Sequence, residues 1–260
     1  GPDEVGYGVD IEFIKPTGEI IADRISKKEI VFDTVLFSEV REVDEQKVGY
    51  LVFNSFKEKS KEDLNRVFNT FVQEGVSDLV LDMRYNGGGL NDTANQLASQ
   101  IAGDNVANEL FMEMKFNGDK QFENQRIYFS RGQADSNSVL NLSRVFILQT
   151  ESTCSAAELV RNALAPFIEV ISIGSTTCGK PIGMYPNAEG FGDYFDGLSP
   201  TCYIEDTIIG DWPNAADPLY SEAINYLRAG QCSQVSGNQA KPSPHVYPTI
   251  SIGANIATVY

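Results

Sequence analysis

The sequence predicts an α/β fold with a parallel-rich sheet flanked by helices, and three stretches carry that prediction. The first is Asp78-Leu79-Val80-Leu81-Asp82-Met83-Arg84, a short apolar run suited to burial on both faces of a sheet. It meets the turn Tyr85-Asn86-Gly87-Gly88-Gly89, and a helix follows from about Asp92 to Ala102 with Ala94, Leu97, Ala98 and Ile101 inward. Strand, glycine turn and helix make half of a βαβ unit. The second stretch repeats the plan. Arg144–Gln149 has strand length and apolarity, small polar residues follow, an amphipathic helix begins near Ser155, and a second strand occupies Ile168–Gly174. The third is at the front, where Val9–Ile14 and Glu19–Ile25 alternate around Lys15-Pro16-Thr17-Gly18, the pattern of a β-hairpin.

The remaining elements follow in order. Val31–Val43 reads as extended and Lys47–Phe53 as a strand. Ser60 offers a helix cap ahead of Leu64, Val67, Phe68, Phe71 and Val72 on one apolar face, and Gly75 closes the helix. Glu109–Phe116 and Arg126–Phe129 read as strands around the turn at Asn117-Gly118, with a polar loop over Gln133–Ser138. Beyond Lys180 prolines and glycines make the chain irregular; a short strand is expected at Thr201–Glu205. A helix begins at Asp217-Pro218, runs through Leu227 and stops at Gly230. The tail beyond Ser233 carries three prolines and is expected to wrap the surface. This gives a hairpin and extended segment over 1–46, a core over 47–232 and a tail over 233–260.

Composition narrows the partners. The 260 residues carry 36 acidic against 20 basic side chains, a net charge of −16, with no dense basic cluster. That argues against nucleic acid or an anionic membrane surface. No apolar run reaches transmembrane length, and the opening Gly1-Pro2 reads as the remnant of tag cleavage, which leaves the native start open. The four cysteines, Cys154, Cys178, Cys202 and Cys232, form no Cys-x-x-Cys pair, so a zinc cage is not expected. Cys154 and Cys178 are expected near each other as small buried thiols.

The chemistry centres on Ser155 and Lys180. A serine hydroxyl is a weak nucleophile and needs a base within reach. A lysine amine serves only when neutral, which requires burial to bring it well below its ordinary value of about 10.4; Pro181, Ile182 and Met184 beside Lys180 fit such a pocket. Ser155 at a helix mouth leaves free backbone N–H groups near the attacked carbonyl. The Ala156 amide is placed to hold an oxyanion, with a second amide from the Gly87-Gly88-Gly89 turn. Taken alone, Ser155 with Glu158 three residues on is a capping box, Glu158 suits the first helical turn, and the glycine run is a tight turn. That run lacks the Lys-Ser/Thr of a nucleotide-binding loop, and Asp82 with Arg84 reads as a structural ion pair.

Three blocks together resemble the C-terminal processing peptidases, also called tail-specific proteases, a family of serine peptidases. Leu79–Gly89 is similar to the family's strand and Asp-Leu-Arg-x-Asn-x-Gly-Gly signature. Ser155-Ala156-Ala157-Glu158-Leu159 resembles its nucleophile block, and Gly174–Lys180 its Gly-x-x-Thr-x-Gly-Lys base block. Ser155 and Lys180 stand 25 residues apart, as in the family, and Tyr194–Pro200 and Asp217-Pro218-Leu219 resemble its end region. The resemblance covers roughly Lys47–Leu227 and implies a crotonase/Clp-protease-like core. It implies Ser155 as nucleophile, Lys180 as general base, Gly88 and Ala156 as oxyanion donors, and Glu158 in a third, orienting role. It also implies polypeptide substrates cut near their C-termini, no cofactor or metal, and a periplasmic or envelope location; a homo-oligomer stays open.

Two departures from the family stand out. Met184 occupies the position where many members carry a glutamine that orients the amine. Residues before Lys47 suffice for a hairpin like the last strands of a PDZ module, not for a whole one. Two readings of other classes therefore stand beside the peptidase: a catalytically silent peptide-binding scaffold, and an acyl-thioester enzyme of crotonase type. His245, the single histidine, sits in the proline-flanked tail, which makes a Ser–His–Asp triad, or a thiol protease of Cys154 with His245, a poor fit.

Overall fold

The computed structural model describes residues 2, 4–28, 32–116, 118–130, 138–180, 182–184, 197–207, 214, 216–233, 249–253 and 256–259. The chain divides into a small unit, Gly1–Asp33, and a large one, Thr34–Tyr260. The small unit is the expected hairpin. β1 (Gly8–Ile14) and β2 (Ile20–Ser26) pair antiparallel from Gly8 opposite Ser26 to Ile14 opposite Ile20, and Gly18 takes a left-handed turn position at φ +83°.

In the large unit β3 (Val35–Val43) turns back on β4 (Gln46–Phe53) through Asp44 and Glu45, both at positive φ as a two-residue hairpin requires. α1 (Ser60–Glu74) leads to β5 (Asp78–Asp82), and α2 (Asn91–Ala102) to β6 (Leu110–Phe116) and β7 (Gln125–Tyr128). β8 (Arg144–Gln149), α3 (Ala156–Leu164) and β9 (Glu169–Gly174) follow, then β10 (Ile182–Met184), β11 (Cys202–Tyr203) and α4 (Pro218–Ala229). The principal sheet has the order β11-β9-β8-β5-β4-β3, parallel throughout except for the β3–β4 pair.

Alternation along its strands explains their continuous apolar sequence. Leu51, Leu79, Leu81, Val145 and Ile147 face one layer, where α1, α2 and α3 supply Leu64, Phe68, Leu97, Ile101, Leu159 and Val160. Tyr50, Val80, Phe146, Leu148 and Ile173 face the other, against Leu219, Tyr220 and Ala223 of α4. Each large apolar side chain so buried contributes about 1.5–3 kcal/mol. Both faces are covered, as an all-parallel region needs.

Three local expectations change. Ser60 opens α1 but caps nothing: its hydroxyl accepts the Lys57 N–H at 2.9 Å and donates to the Ser55 carbonyl at 3.0 Å, tightening the turn before the helix. The tail does not merely wrap the surface. β12 (Thr249–Gly253) pairs parallel with β6, β13 (Ile256–Val259) pairs with β12, and β10 pairs with β13, giving a second sheet of order β10-β13-β12-β6-β7. The β-branched residues of Thr249-Ile250-Ser251-Ile252 favour that outcome once β6 offers an open edge. Third, Cys154 and Cys178 are joined as a disulfide, as are Cys202 and Cys232, so the thiols are not free. His245 and Pro181 lie outside the described residues, as do the side chains of Ile182 and Met184.

Candidate active site

Three loops at the carboxyl ends of the parallel strands β5, β8 and β9 meet, the place where open α/β sheets build their sites. After β5, Asn86 is wholly buried and works in both directions. Its Nδ2 donates to the Phe53 carbonyl at 2.8 Å, its Oδ1 accepts the Gly88 N–H at 2.8 Å, and its carbonyl accepts the Cys154 N–H at 2.9 Å. Gly88, at φ +93°, leaves no room for a side chain: a Cβ there would lie 2.8 Å from the Ala156 nitrogen, the Cys154 oxygen and the Ser155 Cβ. The glycine turn and the Ser155 turn are therefore in direct contact.

After β8 the chain is pinned by Thr153, whose hydroxyl donates to the Met83 carbonyl at 2.9 Å and accepts the Thr150 N–H at 2.9 Å. Ser155 then takes φ +59°, ψ −116° at the mouth of α3. Such a backbone costs a non-glycine residue about 1–3 kcal/mol and persists only where its surroundings impose it. Ala156 begins the helix, and its N–H has no acceptor among the described residues.

After β9 the loop Ser175–Lys180 folds back towards α3, and one carboxylate holds it there. Glu158, buried on α3, accepts the Ser155 N–H at 2.8 Å and the Lys180 N–H at 3.0 Å on Oε2. Its Oε1 accepts the Gly179 N–H at 2.9 Å and the Thr177 hydroxyl. The backbone nitrogens of Ser155 and Lys180 thus lie within two hydrogen-bond lengths of each other. The Cys154–Cys178 disulfide crosses between the same loops, with Cα atoms 5.4 Å apart. Thr177 extends the clamp outward: its hydroxyl accepts the Leu198 N–H at 2.7 Å, and its carbonyl is approached so closely that only glycine fits at Gly197. Beneath lies Arg161, whose Nη2 donates to the Ser199 carbonyl at 2.7 Å; burial lowers its guanidinium to about 10, against the opposing pull of the Glu158 charge.

The expected pair of Asp82 and Arg84 is present within a larger network. Arg84 meets Asp82 at 2.6 Å, Asp217 at 2.7 Å and Asp206 at 3.0 Å; Tyr50 donates to Asp82 at 2.7 Å and Tyr85 to Asp206. Asp217 also caps α4 through the Leu219 and Tyr220 N–H groups at 3.0 and 3.1 Å. The strand-end signature and the Asp-Pro-Leu block, 133 residues apart by Arg84 and Asp217, are thus halves of one buried brace. Sequence reasoning assigned no role to Asp206, Asn86 or Thr177, since each acts through a contact with a distant loop; Thr177 had a signal in its place in the base block, and Asn86 in the Asn of the strand-end signature.

Among the described residues two clusters have the composition of a metal site: Cys154, Glu158 and Cys178, and Cys202, Glu222 and Cys232. Their sulfurs are spent in S–S bonds, so neither offers the thiolates such a site would use.

Residues 47–187 match peptidase family S41. The chain belongs to that family. It is 26% identical over 209 residues to the carboxy-terminal processing protease CtpB of Bacillus subtilis (strain 168), a span covering 80% of this chain and 40% of the relative. It is 30% identical over 135 residues to the chloroplastic C-terminal processing peptidase of Tetradesmus obliquus, covering 52% and 26%. An S41 protease from Bacteroides fragilis NCTC 9343 has a crystal structure that superposes with a TM-score of 0.71 at 28% identity, over 86% of this chain and 66% of that one. The photosystem II D1 C-terminal processing protease shares the fold, with a TM-score of 0.53 at 20% identity. This S41 chain therefore spans two fifths of the Bacillus relative's length, and its α/β core with a mainly parallel sheet is the family's.

Proposed function

We propose that the chain is a serine endopeptidase in which Ser155 is the nucleophile and Lys180 the general base. The observation that carries the reading is the single Glu158 oxygen shared by the backbone N–H groups of Ser155 and Lys180. It brings together two residues 25 positions apart, in an S41 chain where Ser155 already sits at a strained helix mouth.

In the proposed reaction the Lys180 amine takes the Ser155 hydroxyl proton as Oγ attacks the scissile carbonyl. Negative charge develops on the carbonyl oxygen, and the free Ala156 N–H is the ready donor for it. The Gly88 N–H is the second donor, and to serve it must share or leave its bond to Asn86 Oδ1. Collapse of the intermediate expels the amine product with a proton from Lys180, leaving an acyl-Ser155 ester. Water activated by the same amine then hydrolyses the ester. In this scheme the Glu158 carboxylate holds both backbones in place. Substrates are polypeptides, and the names of the Bacillus and Tetradesmus relatives favour cleavage near C-termini. Two disulfides favour folding in an oxidising compartment such as the periplasm or cell envelope. No helix among the described residues is long and apolar enough to cross a membrane.

The engaged Gly88 amide also favours a second reading, the silent peptide-binding scaffold. Digestion of a peptide library, with labelling by a serine-reactive fluorophosphonate, separates the two. The peptidase reading expects turnover and labelling that vanish in Ser155→Ala, with turnover also lost in Lys180→Ala. Peptide binding without either in the native chain would favour the scaffold. Turnover unchanged in Lys180→Ala would remove the dyad.

A further inference from the structure

We propose that the Cys154–Cys178 disulfide is a positioning group for the Ser155–Lys180 pair, so that turnover requires this bond in its oxidised form. The proposal rests on the dyad reading above.

The bond's place in the chain is what suggests it. Cys154 immediately precedes Ser155, and Cys178 stands two residues before Lys180. The Cys154 N–H donates to Asn86 at 2.9 Å and the Cys178 N–H to Thr153 at 3.1 Å, so the bridge sits where the glycine turn, the nucleophile turn and the base loop converge. The hydrogen bonds that tie Ser155 to the Gly179 and Lys180 backbones converge on Glu158, one side chain of the nucleophile helix. Among the described residues the S–S bond is the covalent link between the two loops. Cys202–Cys232 is a natural control: it joins β11, which lies beside β9, to the segment after α4, and neither cysteine belongs to either loop.

Both cysteines of the bridge are half-buried residues, and a small dithiol is the reductant suited to them. Thiolate of the dithiol attacks one sulfur, the Cys154–Cys178 bond breaks, and a mixed disulfide forms. The dithiol's second sulfur displaces the protein sulfur, closing an oxidised ring. Two electrons and two protons pass from dithiol to protein, leaving two cysteine thiols. These cannot remain at bonding distance, and both sulfurs lie within 4.8 Å of the Glu158 carboxylate. The two sulfurs must separate to van der Waals contact, and the loops, no longer joined covalently, are free to shift. A misplacement of about 1 Å between reacting groups costs on the order of 100-fold in rate, so a partial shift is expected to lower kcat at least about tenfold.

The test uses the full chain and a cysteine-free quenched peptide, assayed before dithiothreitol, after it, and after re-oxidation with oxidised glutathione. Alkylation and mass spectrometry establish which cysteines are reduced, and far-UV circular dichroism establishes that the fold persists. The expected result is a kcat loss of at least about tenfold with a smaller change in KM, unchanged ellipticity, recovery on re-oxidation, and the same response in a Cys202→Ala/Cys232→Ala variant. A Cys154→Ala/Cys178→Ala variant should show the low kcat without reductant; should it fail to fold, the reduction arm decides. Full turnover with Cys154 and Cys178 shown to be alkylated overturns the proposal, as does a loss that tracks loss of ellipticity or fails to recover. Turnover persisting in oxidised Ser155→Ala removes the dyad instead; an inactive Ser155→Ala together with harmless reduction removes only the disulfide's role.

Discussion

Replacing Glu158 by glutamine keeps size and shape but turns one acceptor oxygen into an NH2 donor. If the amide nitrogen takes the Oε2 place, it faces the Ser155 and Lys180 N–H groups, and both lose their acceptor. If it takes the Oε1 place, the Gly179 N–H loses its acceptor, while the Thr177 hydroxyl can rotate and accept instead of donate. The second arrangement loses fewer bonds and should prevail. A hydrogen bond to a charged group is worth about 1.5–3 kcal/mol, so Glu158→Gln should destabilise the protein by about 2–3 kcal/mol. Because the orphaned amide adjoins Lys180, kcat should fall more than binding weakens. Urea denaturation at constant m-value reads the first quantity, and steady-state kinetics against the peptide reads the second. A loss below about 0.5 kcal/mol with full turnover would refute the claim that this carboxylate joins the two loops.

Arg84→Ala would leave Asp82, Asp206 and Asp217 facing one another without their shared cation; a loss of about 3–5 kcal/mol is expected from urea denaturation, and one below about 1 kcal/mol would show the brace to be dispensable. Tyr85 should ionise late: its hydrogen bond to Asp206, then burial and the Asp206 charge, raise it to about 12 from an ordinary 10.0. The phenolate absorbance difference between the native chain and Tyr85→Phe should therefore appear near pH 12, and nearer 10 in Asp206→Asn. Since the folded value is the raised one, the stabilisation from this contact is complete below pH 10 and is lost as pH rises towards 12.

The large-scale reading succeeded where sequence periodicity reports burial directly. Strands β5 and β8 sit between two helical layers, so their central residues, Leu79-Val80-Leu81 and Val145-Phe146-Ile147-Leu148, are apolar, and those runs are visible without coordinates. Gly75, Gly230 and the Asp217-Pro218 start mark their helix ends because backbone conformation limits residue choice locally. Less legible were contacts whose partners lie far apart. Asp82 and Arg84 suggested a pair, yet Asp206 and Asp217 give no local sign that they complete it. The strands at Thr249–Gly253 and Ile256–Val259 were hidden by the prolines before them, because strand pairing depends on an edge offered elsewhere.

Apolar patterning by itself determined the α/β class, and the resemblance of three sequence blocks to a peptidase family singled out Ser155, Lys180 and Glu158 as the residues to follow. Only the tertiary structure decided that Glu158 clasps two loops through their backbones, that Cys154 and Cys178 are bonded, and that the Gly88 amide is engaged by Asn86. The physical reason is range. Burial and backbone conformation act within a few residues and leave their mark on the local sequence, whereas a hydrogen-bond acceptor or a disulfide partner is chosen by where the whole chain has already folded.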